Sequence, residues 1–344
     1  MDNTRDAVVS PLPLMQLSIG FWSFKALASA HELGLFACLS GTDGHTVDQL
    51  AELLGVDARP VELLVTACAS VGLLERRDGR YVNSALAEEF LVPGKAFHFG
   101  GWVRMLDRRL YPAWGRLTEA VRTNRPTSWD PDKQAHLFDS EDPELLALFW
   151  EAMHALSTLT ARELGAYVDL SDSTALLDIG GGSGAYDIEL CRRYPSLRAT
   201  VFDLPPVCEI ASTKLVAAGL DDRIVVAPGD FLEYAELPTG HDVVLLSMIM
   251  HDWTPEQDLA ILRKCFAALP SGGRIVISEL LVNDEKTGPP AAALMSLNML
   301  VETVGRNYTA AEYEQWLEVT GFVDVQTVSF EAPGANGAVL ARKP

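Results

Sequence analysis

The second half of the chain alternates short apolar segments with helical patterns, and this alternation restricts the possible folds most. Five segments are rich in Val, Ile and Leu: TALLDI (174–179), ATVFDL (199–204), RIVVAPGDF (223–231), DVVLLSM (242–248) and RIVISEL (274–280). Helical crossovers between such strands are typical of a doubly wound parallel sheet. Two last segments, FVDVQTVSF and GAVLARK, are too close for a crossover and predict a hairpin across PGANG. We therefore expect a Rossmann-like, seven-stranded α/β domain over 169–344 that ends in an antiparallel hairpin.

The first hundred residues have a different pattern. Thr46 is a candidate N-cap, Gly55 ends the helix that follows, and Arg59-Pro60 opens a second helix that runs to Gly72. LLERRDGRYVN then predicts a hairpin that turns at Asp78-Gly79. Helix, turn, helix and two-stranded wing predict an all-α, winged-helix-like domain over 1–100. Its second helix offers one arginine, too few for the phosphate contacts of a DNA-binding protein, so we expect a dimerisation domain.

A strongly apolar segment lies at the start of this domain. PLPLMQLSIGFWSFKALASAHELGLF (11–36) is apolar at helical spacing almost all round, with Phe21, Trp22 and Phe24 among its residues. A helix that is apolar on every side has to be covered, which near an N-terminus favours a partner subunit. The sequence therefore predicts a homodimer. The residues over 101–168 predict a helical linker between the two halves.

Composition excludes several classes of protein. The formal net charge is −20, which argues against nucleic-acid partners and against an anionic membrane surface. The five cysteines show no C-x-x-C spacing, so neither a disulfide framework nor a metal site is predicted. MDNTRDAVVS lacks the basic stretch of a signal peptide, and no window is apolar enough for a membrane span. We expect a cytoplasmic protein.

A glycine-rich loop, DIGGGSGA (178–185), follows the first strand and opens a helix. Glycines let the backbone turn tightly and approach a ligand, while the helix N-terminus offers free amides. Gly180, Gly182 and Ala185 also match the dinucleotide pattern G-x-G-x-x-A. The loop thus predicts a nucleotide-like cofactor without choosing between nicotinamide and S-adenosyl types. The acid at Asp178 and the terminal hairpin favour S-adenosylmethionine.

The next strands also end near carboxylates. Asp203 closes the second strand in VFDLP and is placed to accept hydrogen bonds from both hydroxyls of a ribose. Asp230 ends the third strand, where its carboxylate would accept from an adenine amino group and Phe231 would pack on the ring. Trp253 is a further candidate for shielding the adenine. Because carboxyl ends of parallel strands share one edge, these residues predict one cofactor site.

The stretch LSMIMHDW ends an apolar run on an imidazole, a carboxylate and an indole. A phenol has a pKa near ~10, whereas a free histidine titrates near ~6.5. A neutral imidazole within hydrogen-bond reach takes the proton of the attacking oxygen, typically worth roughly 10²–10⁴ in rate. The neighbouring Asp252 would fix the tautomer and stabilise the imidazolium. His251 is therefore the predicted general base, at the same edge of the sheet as the glycine loop.

The motifs DIGGGSG, VFDLPPV, GDF, SMIMHDW and ISELLV occur in the order and spacing of class I methyltransferases. Over nearly its whole length the chain resembles the plant-caffeate and bacterial-polyketide O-methyltransferase family. The resemblance implies His251 as the base, flanked by Asp252, with Glu279 of ISEL orienting the imidazole. It also implies S-adenosylmethionine, held by the Gly180 loop, Asp203, Leu204, Asp230, Phe231 and the backbone of Ser247.

The resemblance places the acceptor pocket in MSLNMLVETVGRNYT. The implied lining residues are Met295, Asn298, Met299 and Glu302, with Trp102 from the helical half. Family members commonly carry Gly-basic-Glu-Arg-Thr where this chain has GRNYT, so Asn307 replaces an expected second glutamate beside the base and Tyr308 replaces the arginine. Glu302 stands where small apolar or amide residues are usual; it either meets an amine or hydroxyl of the acceptor or is a solvated helix-face residue. Ser247 replaces a lysine of plant relatives, a change that a backbone contact would survive.

These features predict an S-adenosylmethionine-dependent O-methyltransferase for a phenolic hydroxyl of a small aromatic metabolite, in specialised pathways such as antibiotic biosynthesis. Methylation of a ring carbon ortho to a phenol, as on an aromatic amino acid, is the alternative, because deprotonation by His251 activates that carbon equally. A relative that keeps the cofactor only as a structural element is disfavoured by the intact His251 and Glu279. A DNA-binding regulator is disfavoured by the net charge, and an NAD-dependent oxidoreductase by the HDW and GDF motifs.

Overall fold

The computed structural model describes residues 10–130, 132–133 and 143–344, of which 143–145 are described by their backbone alone. The chain divides into two compact units, one ending at Asp107 and the other beginning at Arg108. The first residues of MDNTRDAVVS, on which the expected absence of a signal peptide depends, lie outside the described residues.

The N-terminal unit is helical with one small hairpin. Its elements are α1 Leu12–Ser18, α2 Gly20–Glu32, α3 Leu35–Leu39, α4 Val47–Leu54, α5 Ala58–Ser70, β1 Leu74–Arg77, β2 Arg80–Asn83, α6 Ala85–Phe90 and α7 Gly100–Met105. Thr46 accepts from the amide of Gln49 in a capping box, and Gly55 ends α4 in the left-handed conformation. The wing turns at Asp78 and Gly79, whose φ angles are 48° and 80°. The predicted winged-helix-like pattern is confirmed.

The buried and exposed apolar residues of this unit separate cleanly. Its core joins α2, α3, α4, α5 and the wing through residues such as Ala30, Phe36, Leu50, Val65 and Tyr81. By contrast, α1 contributes no buried residue, and Leu17 is 79% exposed. In α2, Trp22 is 61% exposed. The segment expected to be covered by a partner therefore presents an apolar surface.

The C-terminal unit contains the larger sheet. A π-helical turn, Leu106–Leu110, includes the division point between the two units. The elements that follow are α8 Tyr111–Trp114, α9 Leu117–Thr123, α10 Pro143–Tyr167, β3 Ala175–Ile179, α11 Ala185–Arg193, β4 Arg198–Asp203, α12 Pro205–Ala218, β5 Ile224–Pro228, β6 Val243–Ser247, α13 Pro255–Ala268, β7 Arg274–Glu279, α14 Pro290–Glu302, α15 Ala310–Thr320, β8 Val323–Ser329 and β9 Gly337–Arg342.

Seven strands pair in the order β5-β4-β3-β6-β7-β9-β8. The first five run parallel, and β9 pairs antiparallel with both β7 and β8. The predicted seven-stranded sheet with a terminal hairpin is confirmed. The order reverses between β3 and β6, and ligands of such sheets bind in the crevice that opens at this switch point.

Both faces of the sheet are covered, which explains its continuous apolar strands. Alternate residues of β3 point to opposite sides: Leu176 joins one buried cluster with α10, α11 and α12, whereas Leu177 and Ile179 join the other with α13 and α15. Two strands, β5 and β6, end earlier than the sequence predicts. β5 stops at Pro228, so Asp230 lies in the turn beyond it, and β6 stops at Ser247, so His251 lies on a separate 3-10 turn.

Within the described residues, no helix combines the length and apolarity that a membrane span requires. The same residues contain no group of three or more His, Cys, Asp or Glu arranged to hold a metal ion. The five cysteines are free thiols.

Candidate active site

The glycine loop turns sharply at the end of β3. The amide of Gly180 donates to the carbonyl of Phe202 at 2.8 Å, and Gly180 adopts a φ of +66°. A β-carbon at this position would collide with Ile249, the second residue after β6. A β-carbon at Gly182 would lie 2.9 Å from the ring of Trp150 on α10. The two glycines therefore let the loop fit between neighbouring side chains at the switch point.

Asp203 fastens this loop to the end of β4. One carboxylate oxygen accepts from the amide of Gly182 at 2.8 Å and the other from the amide of Leu204 at 2.7 Å. Burial raises the pKa of Asp203 to about 6, although both amide hydrogen bonds act to lower it. Each carboxylate oxygen keeps a second lone pair, so Asp203 retains capacity for ligand hydroxyls.

A cavity of about 560 Å³, counting space open to solvent, lies over these strand ends. Asp203, Asp230 and Asp252 contribute its acidic groups. Phe231 and Trp253 form an edge-to-face wall, with ring centroids 5.9 Å apart and planes at 82°. The lining residues are Trp150, Gly180, Asp203, Leu204, Val207, Asp230, Phe231, Leu232, Ile249, Asp252 and Trp253.

The chemistry of this lining fits an adenosine-type cofactor. The cavity has flat aromatic walls, and carboxylates stand at two strand ends. Asp230 uses Oδ1 to accept from the amide of Leu232 at 2.8 Å, which orients its carboxylate. The indole nitrogen of Trp253 is buried and has no hydrogen-bond partner among the residues that the structure describes. Ser247, the last residue of β6, is half-buried beside this edge.

His251 is held by a single carboxylate. Its Nδ1 lies 2.6 Å from Oε2 of Glu279, the last residue of β7. The other oxygen of Glu279 accepts from the amides of Ile249 and Met250 at 3.0 and 3.1 Å. One buried carboxylate thus orients both the imidazole and the 3-10 turn that carries it. With Nδ1 donating to Glu279, Nε2 is left as the proton acceptor.

Asp252 lies on the other side of the ring, with Oδ1 3.7 Å from His251 Nε2. Burial lowers the pKa of His251, but the carboxylates of Glu279 and Asp252 outweigh it and raise the value to about 9. Burial raises the pKa of Asp252 to about 7, with the charge of Glu279 adding to the rise and that of His251 opposing it. The imidazole is therefore a stronger base than free histidine.

Asp258 is a buried acid that the sequence analysis did not single out. It lies in the first turn of α13 and is fully buried. Burial, with the charge of Glu279 in addition, raises its pKa to about 9. In sequence an acid here is an ordinary first-turn residue that favours the helix dipole, so only the packing identifies it.

Asn307 and Tyr308 each donate a side-chain hydrogen bond to backbone near the site. Asn307 donates from Nδ2 to the carbonyl of Leu280 at 2.8 Å. Tyr308 donates its hydroxyl to the carbonyl of Trp253 at 2.8 Å. Gly305 packs so closely that a β-carbon there would collide with the backbone carbonyl of His251. The residues that replace the family's glutamate and arginine therefore hold backbone around the 3-10 turn.

The predicted acceptor residues of α14 occupy one helix face, with spacings of three and four from Met295 to Glu302. Asn298, Met299 and Glu302 are buried, and Met295 is half-buried. Glu302 is 6% exposed, so the expectation of a solvated helix-face glutamate is wrong. Trp102 belongs to the N-terminal unit, on α7, where its ring centroid lies 6.0 Å from that of Phe99. Its role at an acceptor site stays a prediction.

Two family models match the chain. An O-methyltransferase domain matches residues 114–323, and an O-methyltransferase dimerisation domain matches residues 15–93. A 3-hydroxy-5-methyl-1-naphthoate 3-O-methyltransferase of Streptomyces sahachiroi is 51% identical over 335 residues, covering 97% of this chain and 95% of that protein. An L-tyrosine C(3)-methyltransferase of Streptomyces lavendulae is 33% identical, covering 96% and 92%.

The fold agrees with these matches. The crystal structure of human N-acetylserotonin methyltransferase in complex with SAM has a TM-score of 0.87 and 29% identity, covering 100% of this chain and 99% of that one. The O-methyltransferase domain match includes the glycine loop and the five parallel strands, and the sequence and structural similarities extend over nearly the whole chain. The chain belongs to the O-methyltransferase family and is a methyltransferase whose methyl donor is S-adenosylmethionine.

Proposed function

We propose that this protein transfers a methyl group to a phenolic hydroxyl of a small aromatic acceptor, with His251 as the general base. The observation that carries the proposal is the 2.6 Å contact between His251 Nδ1 and Glu279 Oε2. This contact fixes the tautomer that leaves Nε2 basic, as in other histidine bases oriented by a carboxylate.

The cofactor supplies, when bound, a sulfonium methyl group that is already electrophilic. We assign Asp203 to the ribose hydroxyls and Asp230 to the adenine amino group, with Phe231 and Trp253 as the walls. Gly180, Gly182, Leu204 and the backbone of Ser247 complete the proposed cofactor site. Because the methyl group is activated by its own chemistry, the protein has to bind, orient and exclude water.

Proton removal is the chemical step that the chain itself performs. A phenol with a pKa of ~10 is a poor nucleophile when protonated. His251, with its pKa raised to about 9, is closely matched to such a phenol, so little free energy opposes the transfer. Glu279 and Asp252 stabilise the imidazolium that forms.

The acceptor class follows from the relatives and the lining residues. The 51% identical relative is named for methylating a hydroxyl of a naphthoate. The flexible, apolar side chains of Met295 and Met299 suit a flat aromatic ring. We therefore propose a small aromatic, polyketide-like acceptor and a role in secondary metabolism, including antibiotic biosynthesis.

We also propose a homodimer formed through the N-terminal domain. The dimerisation-domain match and the exposed apolar side chains of α1 and α2 support it. The five free thiols suit a reducing compartment, so we place the protein in the cytoplasm.

The test uses S-adenosylmethionine labelled in its methyl group, with a panel of phenols, catechols and hydroxynaphthoates. The wild type should label a phenol, and His251→Gln should reduce kcat by about 10²–10⁴ while S-adenosylmethionine binding, measured by calorimetry, persists. A His251→Gln variant with full turnover would show that His251 is not the general base. Wild-type protein that labels no phenol would refute the acceptor class.

Ring-carbon methylation is a second candidate because one relative is an L-tyrosine C(3)-methyltransferase. Removal of the phenolic proton by His251 also makes the ortho carbon nucleophilic. In the product, a labelled carbon bonded to oxygen indicates O-methylation, whereas a labelled carbon bonded to a ring carbon indicates C-methylation.

A further inference from the structure

A buried ion pair joins α14 to the segment before α8. Arg109 Nη2 lies 2.9 Å from Glu302 Oε1, and the two side chains are 11% and 8% exposed. Apolar residues of similar size often stabilise a protein as well as a buried ion pair does. Stability alone therefore does not explain why two charges stand here.

Glu302 is fixed from the side away from Arg109. Trp114 donates from Nε1 to Asn298 Oδ1 at 2.7 Å, and Asn298 donates from Nδ2 to Glu302 Oε2 at 2.9 Å. Because an indole nitrogen only donates, it sets the orientation of the Asn298 amide. Trp129 donates from Nε1 to the carbonyl of Glu302 at 2.7 Å. This series of hydrogen bonds holds the carboxylate that faces Arg109.

Arg109 keeps donor capacity beyond this contact. In the described part of the chain, Oε1 of Glu302 accepts no hydrogen bond, so the N–H groups of the guanidinium are not directed at it despite the 2.9 Å separation. The guanidinium carbon lies 5.1 Å from the ring centroid of Phe149, which supports one side of its plane. A guanidinium has five donors in a flat fork that matches a carboxylate. The charge of Glu302 thus holds Arg109 in place, while the N–H donors of the guanidinium remain available to a ligand.

The pair lies next to the proposed base. α14 contacts the 3-10 turn Met250–Asp252, and Gly305, three residues after Glu302, packs on the backbone of His251. Both members of the pair act on Asp252: the charge of Glu302 raises its pKa and that of Arg109 lowers it. Because Asp252 Oδ1 lies 3.7 Å from His251 Nε2, the charge of Arg109 acts on the group next to the proposed base.

We propose that Arg109 is a specificity residue that binds a carboxylate on the aromatic acceptor, so that the acceptor is a hydroxyaryl carboxylate. This assignment rests on the proposed function, since it names the acceptor class of the same site. Glu279 is matched by His251, while Glu302 holds Arg109 by its charge, so the guanidinium can act as a cationic fork for an acid. Asn298, Glu302 and Trp114 are positioning residues that set its direction.

The test compares matched acceptors with the full-length protein and labelled S-adenosylmethionine. 3-Hydroxy-1-naphthoate, 3-hydroxy-1-naphthamide and 2-naphthol present the same hydroxyl with a carboxylate, an amide and no substituent. We expect the wild type to prefer the acid over 2-naphthol by about 10- to 100-fold in kcat/KM, mainly through KM. In Arg109→Gln the ratio of the two values should fall towards one, and Arg109→Lys should restore part of it. Glu302→Gln, which keeps the guanidinium but removes the charge that holds it, should reduce the preference for the acid less than Arg109→Gln does.

A binding measurement makes the inference independent of turnover. Sodium 1-naphthoate has no hydroxyl to methylate, so its calorimetric Kd, compared with that of 1-naphthamide, tests Arg109 even where no methyl is transferred. We expect the wild type to bind the acid more tightly than the amide. Arg109→Gln should bind the two with equal affinity. The assignment would be overturned if the wild type bound acid and amide with equal affinity. It would also be overturned if Arg109→Gln lost affinity for the acid and the amide to the same extent.

The competing reading is that Glu302 binds a cationic or hydroxyl group of the acceptor. A 1-aminomethyl-3-naphthol probe addresses it directly. Preference for this amine over the acid, lost in Glu302→Gln, would also overturn the role of Arg109. Absence of transfer to every one of these phenols, with 1-naphthoate still bound through Arg109, would refute the proposed function and leave the carboxylate site in place.

Discussion

Nδ1 of His251 lies 2.6 Å from Oε2 of Glu279, while Oε1 of the same carboxylate accepts from the amides of Ile249 and Met250. The last residue of β7 thereby builds the turn that follows β6 and orients the side chain on it. The proposed base and the turn that carries it therefore both depend on the buried carboxylate of Glu279.

Replacing Glu279 with glutamine should separate these two roles. The amide oxygen can still accept from the backbone, but the amide nitrogen donates, so it favours the imidazole tautomer with the proton on Nε2. We expect kcat to fall about 10²–10⁴-fold, with S-adenosylmethionine binding little changed. Glu318→Gln, at an exposed position on α15, is the matched control. Equal kcat in the two variants would disprove the role of Glu279.

The pH dependence of turnover should reflect the raised pKa of His251. Below about pH 9 the resting imidazole is protonated and cannot accept the phenol's proton, so log kcat/KM should rise with pH and level off near 9. In His251→Gln the inflection should move to the phenol's own pKa of ~10. A wild-type profile that is flat between pH 6 and 9 would contradict this account.

The same shift has a consequence for stability. The folded-state pKa of His251 lies above the unfolded value of ~6.5, so its ion pairs contribute fully below pH ~6.5, and this contribution is lost as pH rises through about 9. The difference in Tm between the wild type and His251→Gln should therefore shrink between pH 6.5 and 9.5. A difference that grows over this range would show that the histidine is buried neutral.

Two glycines with the same backbone angle test the close approach at the switch point. Gly180 and Gly219 both have a φ of +66°, but a β-carbon at Gly219 meets nothing within 4 Å, whereas at Gly180 it collides with Ile249. Gly219→Ala should cost about 1 kcal/mol from left-handed strain alone. Gly180→Ala should cost more and weaken S-adenosylmethionine binding at least about tenfold, since the Ile249 side chain or the loop has to shift. Identical losses of Tm with unaltered cofactor binding would refute the proposed loop geometry.

The exposed apolar helices test the proposed dimer. Trp22→Asp places a charge in the middle of the apolar surface of α2 and should convert the dimer to monomer, read by light scattering at micromolar concentration. Val319, 68% exposed on α15 in the other unit, provides the matched control as Val319→Asp, which should remain dimeric. A wild-type protein that is monomeric at these concentrations would remove the basis for the proposal.

Periodicity and strand ends were sufficient to predict the sheet, its terminal hairpin and the winged-helix-like domain. The reason is that both faces of the sheet are buried, so β3, β6 and β7 are mostly apolar, and their carboxyl ends bring Gly180, Ser247 and Glu279 to the ligand edge. Capping residues such as Thr46 also indicated where helices start, because a cap depends on residues that are close in sequence.

The details of the candidate site depend on packing and were less accessible. Nothing in the sequence distinguishes Asp258 from an ordinary first-turn acid, because its raised pKa comes from burial beside Glu279. Arg109 is separated from Glu302 by 193 positions, so no sequence spacing could pair them. The hydrogen bond from Asn307 to the carbonyl of Leu280 also depends on the folded chain, because the two residues are far apart in sequence.

The most direct test of the central claim is the product formed with ¹³C-methyl S-adenosylmethionine and 3-hydroxy-1-naphthoate, examined by carbon NMR. The account predicts that the labelled carbon is bonded to the phenolic oxygen, as a methoxy group, and that His251→Gln forms at least about a hundredfold less of it per unit time. A label on a ring carbon, or a methoxy product formed at the wild-type rate by His251→Gln, would contradict it.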